Sequence, residues 1–273
     1  MKSIGLIAGG GQFPLLFAQR AKVKGISVHA VAYVNEASPS LADHVTSIQW
    51  IHLGQVTKLL KFFRHNGITR AVMLGTVKKT RIFADIKPDL KALAFIATMG
   101  HTHDDGIMRA FADLLKKEGV TICPSTLLLP DLISPKGCWT RKKPGRAATK
   151  DIETGWHIAG EIGRLDIGQC VVVSNGTVLA VEAADGTDAT IRRGASLSTG
   201  GAVVVKRSKP RQDLRFDLPS SGIETIRTMV ESGADVLVLE AEKSLSFDRQ
   251  EMIDVANQQG ISIVAMADED LLL

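Results

Sequence analysis

Short apolar runs alternate with amphipathic stretches from the start of the chain. Ile4-Gly5-Leu6-Ile7-Ala8 is an unbroken apolar run, the pattern of a parallel strand buried on both faces. Gly9-Gly10-Gly11 interrupts it, and Leu15-Leu16-Phe17-Ala18 opens a helical pattern that runs to Gly25. Ile26 to Tyr33 reads as the next strand. A helix over Val56 to His65 then meets the turn signal Asn66-Gly67, with a strand at Ala71 to Leu74 beyond it. Ile107 to Lys117 is amphipathic and closes at Glu118-Gly119, ahead of a strand at Val120-Thr121-Ile122. Strands and helices alternating in this order predict a parallel α/β sheet with right-handed crossovers.

The texture changes after Leu129. Pro130, Pro135, Gly137 and Pro144-Gly145 punctuate the basic stretch Arg141-Lys142-Lys143, which has the composition of a connection between domains. A helix near Ile152 to Ile162 follows. Gln169 to Val173 and Thr177 to Glu182 then read as two strands around Ser174-Asn175-Gly176, because an Asn-Gly pair tolerates the positive φ of a tight hairpin. Strands at Ala202 to Val205, Val236 to Leu239 and Ile261 to Val264 alternate with helices at Glu224 to Glu231 and Arg249 to Gln258. The expected architecture is therefore α/β: an N-terminal Rossmann-like domain over residues 1–132 and a C-terminal mixed α/β domain over 133–273.

Composition narrows the class. With 273 residues, 45% of them hydrophobic and 23% charged, the chain can bury a core in each of two domains. No apolar run nears the roughly 20 residues that span a bilayer, and the start does not read as a signal peptide, so a cytoplasmic protein is expected. Three widely spaced cysteines, Cys123, Cys138 and Cys170, make neither a disulfide framework nor a zinc pattern. A net charge of +4 suits an anionic partner without choosing among them. Nucleic acid fits poorly, since only 5% of residues are aromatic and none form pairs among the basic residues for stacking.

Three clusters carry candidate chemistry. Gly9-Gly10-Gly11 between a strand and a helix would let backbone N–H groups approach a phosphate. It serves equally as a tight turn that binds nothing, because Pro14 stands where the dinucleotide fingerprint needs a third glycine and the P-loop lysine is missing. Glu36, near the end of the second strand, could mimic the acid that binds a ribose. His101-Thr102-His103-Asp104-Asp105 crowds possible ligands together. For the two histidines a helix start is the better reading, whereas two adjacent aspartates offer hard oxygens suited to Mg²⁺. The run Lys206 to Pro219 mixes cations with Asp213 and Asp217, the combination that pyrophosphate hydrolysis requires. Cations steady charge on phosphoryl oxygens while a carboxylate orients water or holds Mg²⁺.

Several of these runs together resemble the LpxI family, the UDP-2,3-diacylglucosamine pyrophosphatases. The first is Ile4 to Pro14. The second is Ile162-Gly163-Arg164-Leu165-Asp166-Ile167-Gly168-Gln169, continuing into Val178 to Glu182 and Gly186-Thr187-Asp188. The third joins Lys209-Pro210, Gln212-Asp213 and Arg215-Phe216-Asp217-Leu218-Pro219. The fourth is Gly233-Ala234-Asp235 with Leu239-Glu240-Ala241 and Asp248-Arg249. The resemblance implies a cytoplasmic, Mg²⁺-dependent enzyme of lipid A synthesis. It would cleave UDP-2,3-diacylglucosamine to UMP and 2,3-diacylglucosamine 1-phosphate (lipid X), with water attacking the uridine-side phosphorus. A homodimer and peripheral contact with the inner membrane come with it.

The resemblance maps the family's essential aspartate onto Asp217, taken as catalytic, and its acidic pair onto Asp104 and Asp105. The expected metal ligands are Asp217 with one or more of Asp104, Asp105 and Asp188, which would hold Mg²⁺ or position the attacking water. Gly9, Gly10, Gly11, Gln12, Thr187, Lys209, Gln212 and Arg215 would meet the substrate between the two domains. The chain departs from the family pattern at Ser220-Ser221-Gly222, at Glu242 and at Asp185, none of which removes a proposed group. Two other functions remain: a nucleotide-dependent oxidoreductase, which Pro14 disfavours, and a non-catalytic binder of anionic lipid or nucleotide.

Overall fold

A computed structural model describes residues 1–77, 86–97, 104–210, 212–215 and 217–272, without the side chains of 104, 105 and 272. Two compact units emerge. The first comprises Met1–Pro130 with Asp213–Asp217, and the second Asp131–Gln212 with Leu218–Leu273.

In the first unit, β1 (Ser3–Ala8), α1 (Phe13–Val23), β2 (Ser27–Tyr33), β3 (Ser47–Ile51), α2 (Val56–His65), β4 (Arg70–Leu74), α3 (Leu90–Ala97), α4 (Asp104–Lys117) and β5 (Thr121–Ile122) follow in order. The strands form one parallel sheet in the order β3-β2-β1-β4-β5. This is the Rossmann order, in which the chain reverses direction across the sheet beside β1. Pro14 sits in the first turn of α1, where its missing N–H costs no helical bond. Helix α2 buries Val56, Leu59, Leu60 and Phe63, a single stripe at helical spacing. That stripe packs with Ile7, Val31 and Met73 of the sheet in one core.

The second unit adds β6 (Gly137–Cys138), α5 (Arg146–Arg164), β7 (Cys170–Ser174), β8 (Thr177–Val181), α6 (Thr187–Ala195), β9 (Val203–Lys206), β10 (Ser220–Ser221), α7 (Ile223–Ser232), β11 (Val236–Glu240), β12 (Leu245–Ser246), α8 (Arg249–Gln259) and β13 (Ser262–Met266). Its main sheet runs β6-β13-β11-β9-β7-β8. The central β13, β11 and β9 are parallel, while β7, β8 and β6 run against their neighbours. Cores lie on both faces. One gathers Val172, Ile191, Ile226, Met229 and Met252, and the other gathers Trp156, Val171, Val205 and Val238. The expected α/β class holds in both units.

Candidate active site

The glycine turn follows β1 at the carboxyl end of the first sheet. Gly9 N–H donates to Leu74 O at 2.8 Å and Gly10 N–H to Thr76 O at 2.7 Å, while Thr76 N–H returns a bond to Gly10 O at 3.1 Å. Two of the three glycine amides are thus spent on joining the ends of β1 and β4. Gly11 follows, exposed and at φ +84°, and its N–H takes no bond among the described residues. Gln12 caps α1 through its carbonyl, which accepts Leu16 N–H at 3.0 Å. One Oε of Glu36 is buried without a partner among the described residues, and the Glu36 carbonyl lies beside Gly10.

Asp213–Asp217 completes the first unit although it comes from the second half of the chain. Arg215 grips Asp213 with Nε at 2.9 Å and Nη2 at 2.7 Å. The guanidinium's hydrogen bonds hold the Asp213 carboxyl below the usual carboxylate range against the opposing effect of burial, and Arg109 adds to the lowering. Arg215 is raised in turn by Asp213. Asp217 N–H donates to Asp213 O at 3.0 Å, and Ser125 N–H donates to Arg215 O at 2.7 Å. The Asp217 side chain is partly buried and takes no hydrogen bond or ion pair among the described residues.

In the second unit the ionised groups collect at the carboxyl ends of β8, β9, β11 and β13. Glu182, past β8, accepts Thr187 Oγ1 at 2.9 Å and Gln169 N–H at 3.2 Å. Asp188 lies in the first turn of α6, where the helix dipole favours a carboxylate. Lys209 binds Asp166 at 2.6 Å. It also exchanges bonds with Gln212, whose Oε1 accepts Lys209 N–H at 3.0 Å while its own N–H reaches Lys209 O at 3.0 Å.

Deeper in this unit, Glu240 is only 2% exposed. It accepts Ser208 N–H at 2.8 Å, Ser208 Oγ at 2.5 Å and Lys243 Nζ at 2.9 Å. Arg207 lies 4.8 Å over the Trp156 ring and binds Asp268 at 2.7 Å. The Cys170 thiol is pushed up to about 12, first by burial and then by Glu182.

The expected site residues therefore divide. Gly9, Gly10, Gly11, Gln12, Arg215 and Asp217 belong to the first unit, as does the backbone of Asp104 and Asp105 at the head of α4. Thr187, Asp188, Lys209 and Gln212 belong to the second. His101 and His103 lie outside the described residues, as do the side chains of Asp104 and Asp105. Asp166, Glu182 and Glu240 were not singled out as site residues. Their signal was present for the last two: a lone carboxylate directly after an apolar strand run, Val178 to Val181 and Val236 to Leu239.

Mg²⁺ is the cofactor implied by the resemblance. Asp217 offers a carboxylate without a partner among the described residues, a donor that suits this hard cation. No group of three or more His, Cys, Asp or Glu gathers among the described residues.

A Rossmann-ordered sheet with a glycine turn, joined in one chain to a mixed α/β unit edged with ionised groups, defines a two-unit α/β protein. The chain belongs to the LpxI family. The LpxI N-terminal domain matches residues 3–132 and the LpxI C-terminal domain matches residues 135–264. The UDP-2,3-diacylglucosamine pyrophosphatase LpxI of Caulobacter vibrioides is 34% identical over 97% of this chain and 98% of its own.

Solved structures are more remote. The precorrin-6A reductase CobK shares 11% identity over 98% of this chain and 88% of its own, with a TM-score of 0.34. The N5-carboxyaminoimidazole ribonucleotide synthetase of Thermotoga maritima shares 14% over 65% of this chain and 40% of its own, with a TM-score of 0.25. No helix among the described residues is long and apolar enough to cross a membrane.

Proposed function

We propose that this protein is a UDP-2,3-diacylglucosamine pyrophosphatase of lipid A synthesis, releasing UMP and 2,3-diacylglucosamine 1-phosphate. The near full-length likeness to the Caulobacter vibrioides enzyme carries the reading. It is supported by a partly buried Asp217 carboxylate that the described structure does not otherwise use.

Water attacks the uridine-side phosphorus. Asp217, with Asp104 or Asp105 from the head of α4, would hold Mg²⁺, and Asp188 is a further carboxylate for that role. When bound, the ion would supply positive charge for the phosphoryl oxygens and acidify the attacking water. The open Gly11 amide with Gln12, and Thr187, Lys209 and Gln212, would meet the substrate. Gly9 and Gly10 contribute the shape of the turn, since their amides are spent on the sheet. The enzyme works in the cytoplasm as a homodimer, at the inner-membrane surface where its lipid substrate resides.

Release of UMP from UDP-2,3-diacylglucosamine, assayed with Mg²⁺ and again after chelation with EDTA, tests the reading. Metal-dependent release supports it. A well-folded protein that binds the substrate and releases no UMP is a binder instead, and reduction or oxidation of a nicotinamide cofactor marks an oxidoreductase.

A further inference from the structure

Asp213 is held in place by more bonds than a surface aspartate needs. Its Oδ1 accepts both the Nε of Arg215 at 2.9 Å and the backbone N–H of Arg215 at 3.1 Å, and its Oδ2 accepts Nη2 at 2.7 Å. Its backbone carbonyl accepts Asp217 N–H at 3.0 Å. Side chain and main chain of one residue thereby fix the two positions that follow. The segment is anchored from outside as well, because Ser125, in the loop past β5, donates its N–H to Arg215 O at 2.7 Å.

The Asp213 side chain is 13% exposed and that of Arg215 43% exposed. This pair is fork-shaped and charge-assisted, a geometry that locks both partners. Arg109 and Asp113, four residues apart on α4, also act on it: Arg109 on the carboxylate and Asp113 on the guanidinium. Charges of alternating sign thus run between the segment and the helix whose first residues are Asp104 and Asp105.

We propose that Asp213 is a positioning residue, forming with Arg215 a clamp that sets the backbone of Asp217 and so aims its carboxylate. The proposal rests on Asp217 being the reacting carboxylate of the function given above. It also changes the role of Arg215, whose guanidinium has two N–H groups committed to Asp213 and which acts through Asp217 rather than as an independent substrate ligand. The two roles differ in kinetics. A clamp lost from either side misplaces the same carboxylate, so the two losses overlap. An independent ligand weakens substrate binding on its own account, so its loss multiplies with any other.

The experiment compares wild type, Asp213→Asn, Arg215→Gln and the double variant for UMP release. Hydrogen exchange of the Arg215 and Asp217 amides is followed in the same proteins. Misplacement on the order of an ångström costs about 10²-fold in rate. Asp213→Asn is therefore expected to lower kcat by roughly 10- to 100-fold with KM within about threefold. The double variant should fall within about twofold of the worse single one. In both singles the two amides should exchange faster while those of β1 stay protected.

Unchanged kcat in Asp213→Asn, single losses that multiply, or unchanged exchange at Asp217 overturns the clamp. If wild type releases no UMP, the hydrolase reading falls by itself. The clamp is then judged on exchange: faster exchange at Asp217 in Asp213→Asn keeps it, and unchanged exchange removes it.

Discussion

Replacing Gly75 with alanine strikes the point where the loops after β1 and β4 cross. A Cβ built on Gly75 would stand 2.4 Å from Gly10 O, 2.8 Å from Gly9 C and 3.0 Å from Gly9 O, on a backbone at φ +88°. All three neighbours are main-chain atoms, already tied by the bonds between Gly10 and Thr76, so nothing nearby can swing aside.

Two costs add. The left-handed conformation costs an alanine about 1–2 kcal/mol, and forcing a methyl into packed backbone costs about 1–3 kcal/mol more. The sum is about 2–5 kcal/mol. Gly67→Ala isolates the first cost, because Gly67 has φ +64° and no atom within 4 Å of its built Cβ. Urea unfolding of both variants, with midpoint and slope fitted separately, reads the difference. Gly75→Ala should lose about 2–5 kcal/mol and Gly67→Ala about 1–2 kcal/mol. Equal losses, or a Gly75→Ala loss below about 1 kcal/mol, would refute the steric reasoning.

Three further outcomes are expected. Glu240→Ala strips a buried carboxylate from Ser208, Lys243 and Arg207 and should destabilise the protein by about 2–4 kcal/mol in denaturant unfolding; a loss under about 1 kcal/mol argues that the network is not formed. With an exposed Cys138 and a buried Cys170 whose thiol is raised to about 12, a thiol reagent at pH 8 should label Cys138 in the native protein. Cys170 should react only after unfolding, and native labelling of Cys170 would contradict its burial. Asp213 is depressed in the folded state, so its contribution to stability is full above its unfolded pKa of about 3.9 and is lost as pH falls below that. Wild type and Asp213→Asn should therefore differ in acid unfolding near neutrality and converge in strong acid, and a constant gap across pH would contradict the pairing with Arg215.

Much of the fold was legible because its signals are local. The stripe Val56, Leu59, Leu60 and Phe63 marks α2 as Val56–His65, and unbroken apolar runs mark β1, β4 and β11. Other elements lacked such marks. The β3 strand, Ser47-Ile48-Gln49-Trp50-Ile51, lies at a sheet edge and has one fully buried residue, so its sequence carries little apolar pattern. Helix α6 buries Thr190, Ile191, Gly194 and Ala195. Gly194 stands so close to Val172 that a Cβ there would approach within 2.5 Å. A helix held by close approach of small residues looks polar in sequence.

The site divides the same way. The family blocks pointed to Asp217, Lys209 and Arg215 by position. The pairing of Lys209 with Asp166 and of Arg215 with Asp213 depends on loop conformation, with Asp166 at φ +57°. Residue identities do not encode that pairing on their own.

The central claim is that Asp217 serves the hydrolysis of UDP-2,3-diacylglucosamine. Its most direct test is UMP release by wild type and Asp217→Asn in the presence of Mg²⁺, with folding of both verified by thermal unfolding. Wild type should release UMP. Asp217→Asn, nearly the same shape without the charge, should be slower by roughly 10³-fold or more, given how much a single reacting group contributes. A folded wild type that releases no UMP, or an Asp217→Asn variant as fast as wild type, would contradict the claim.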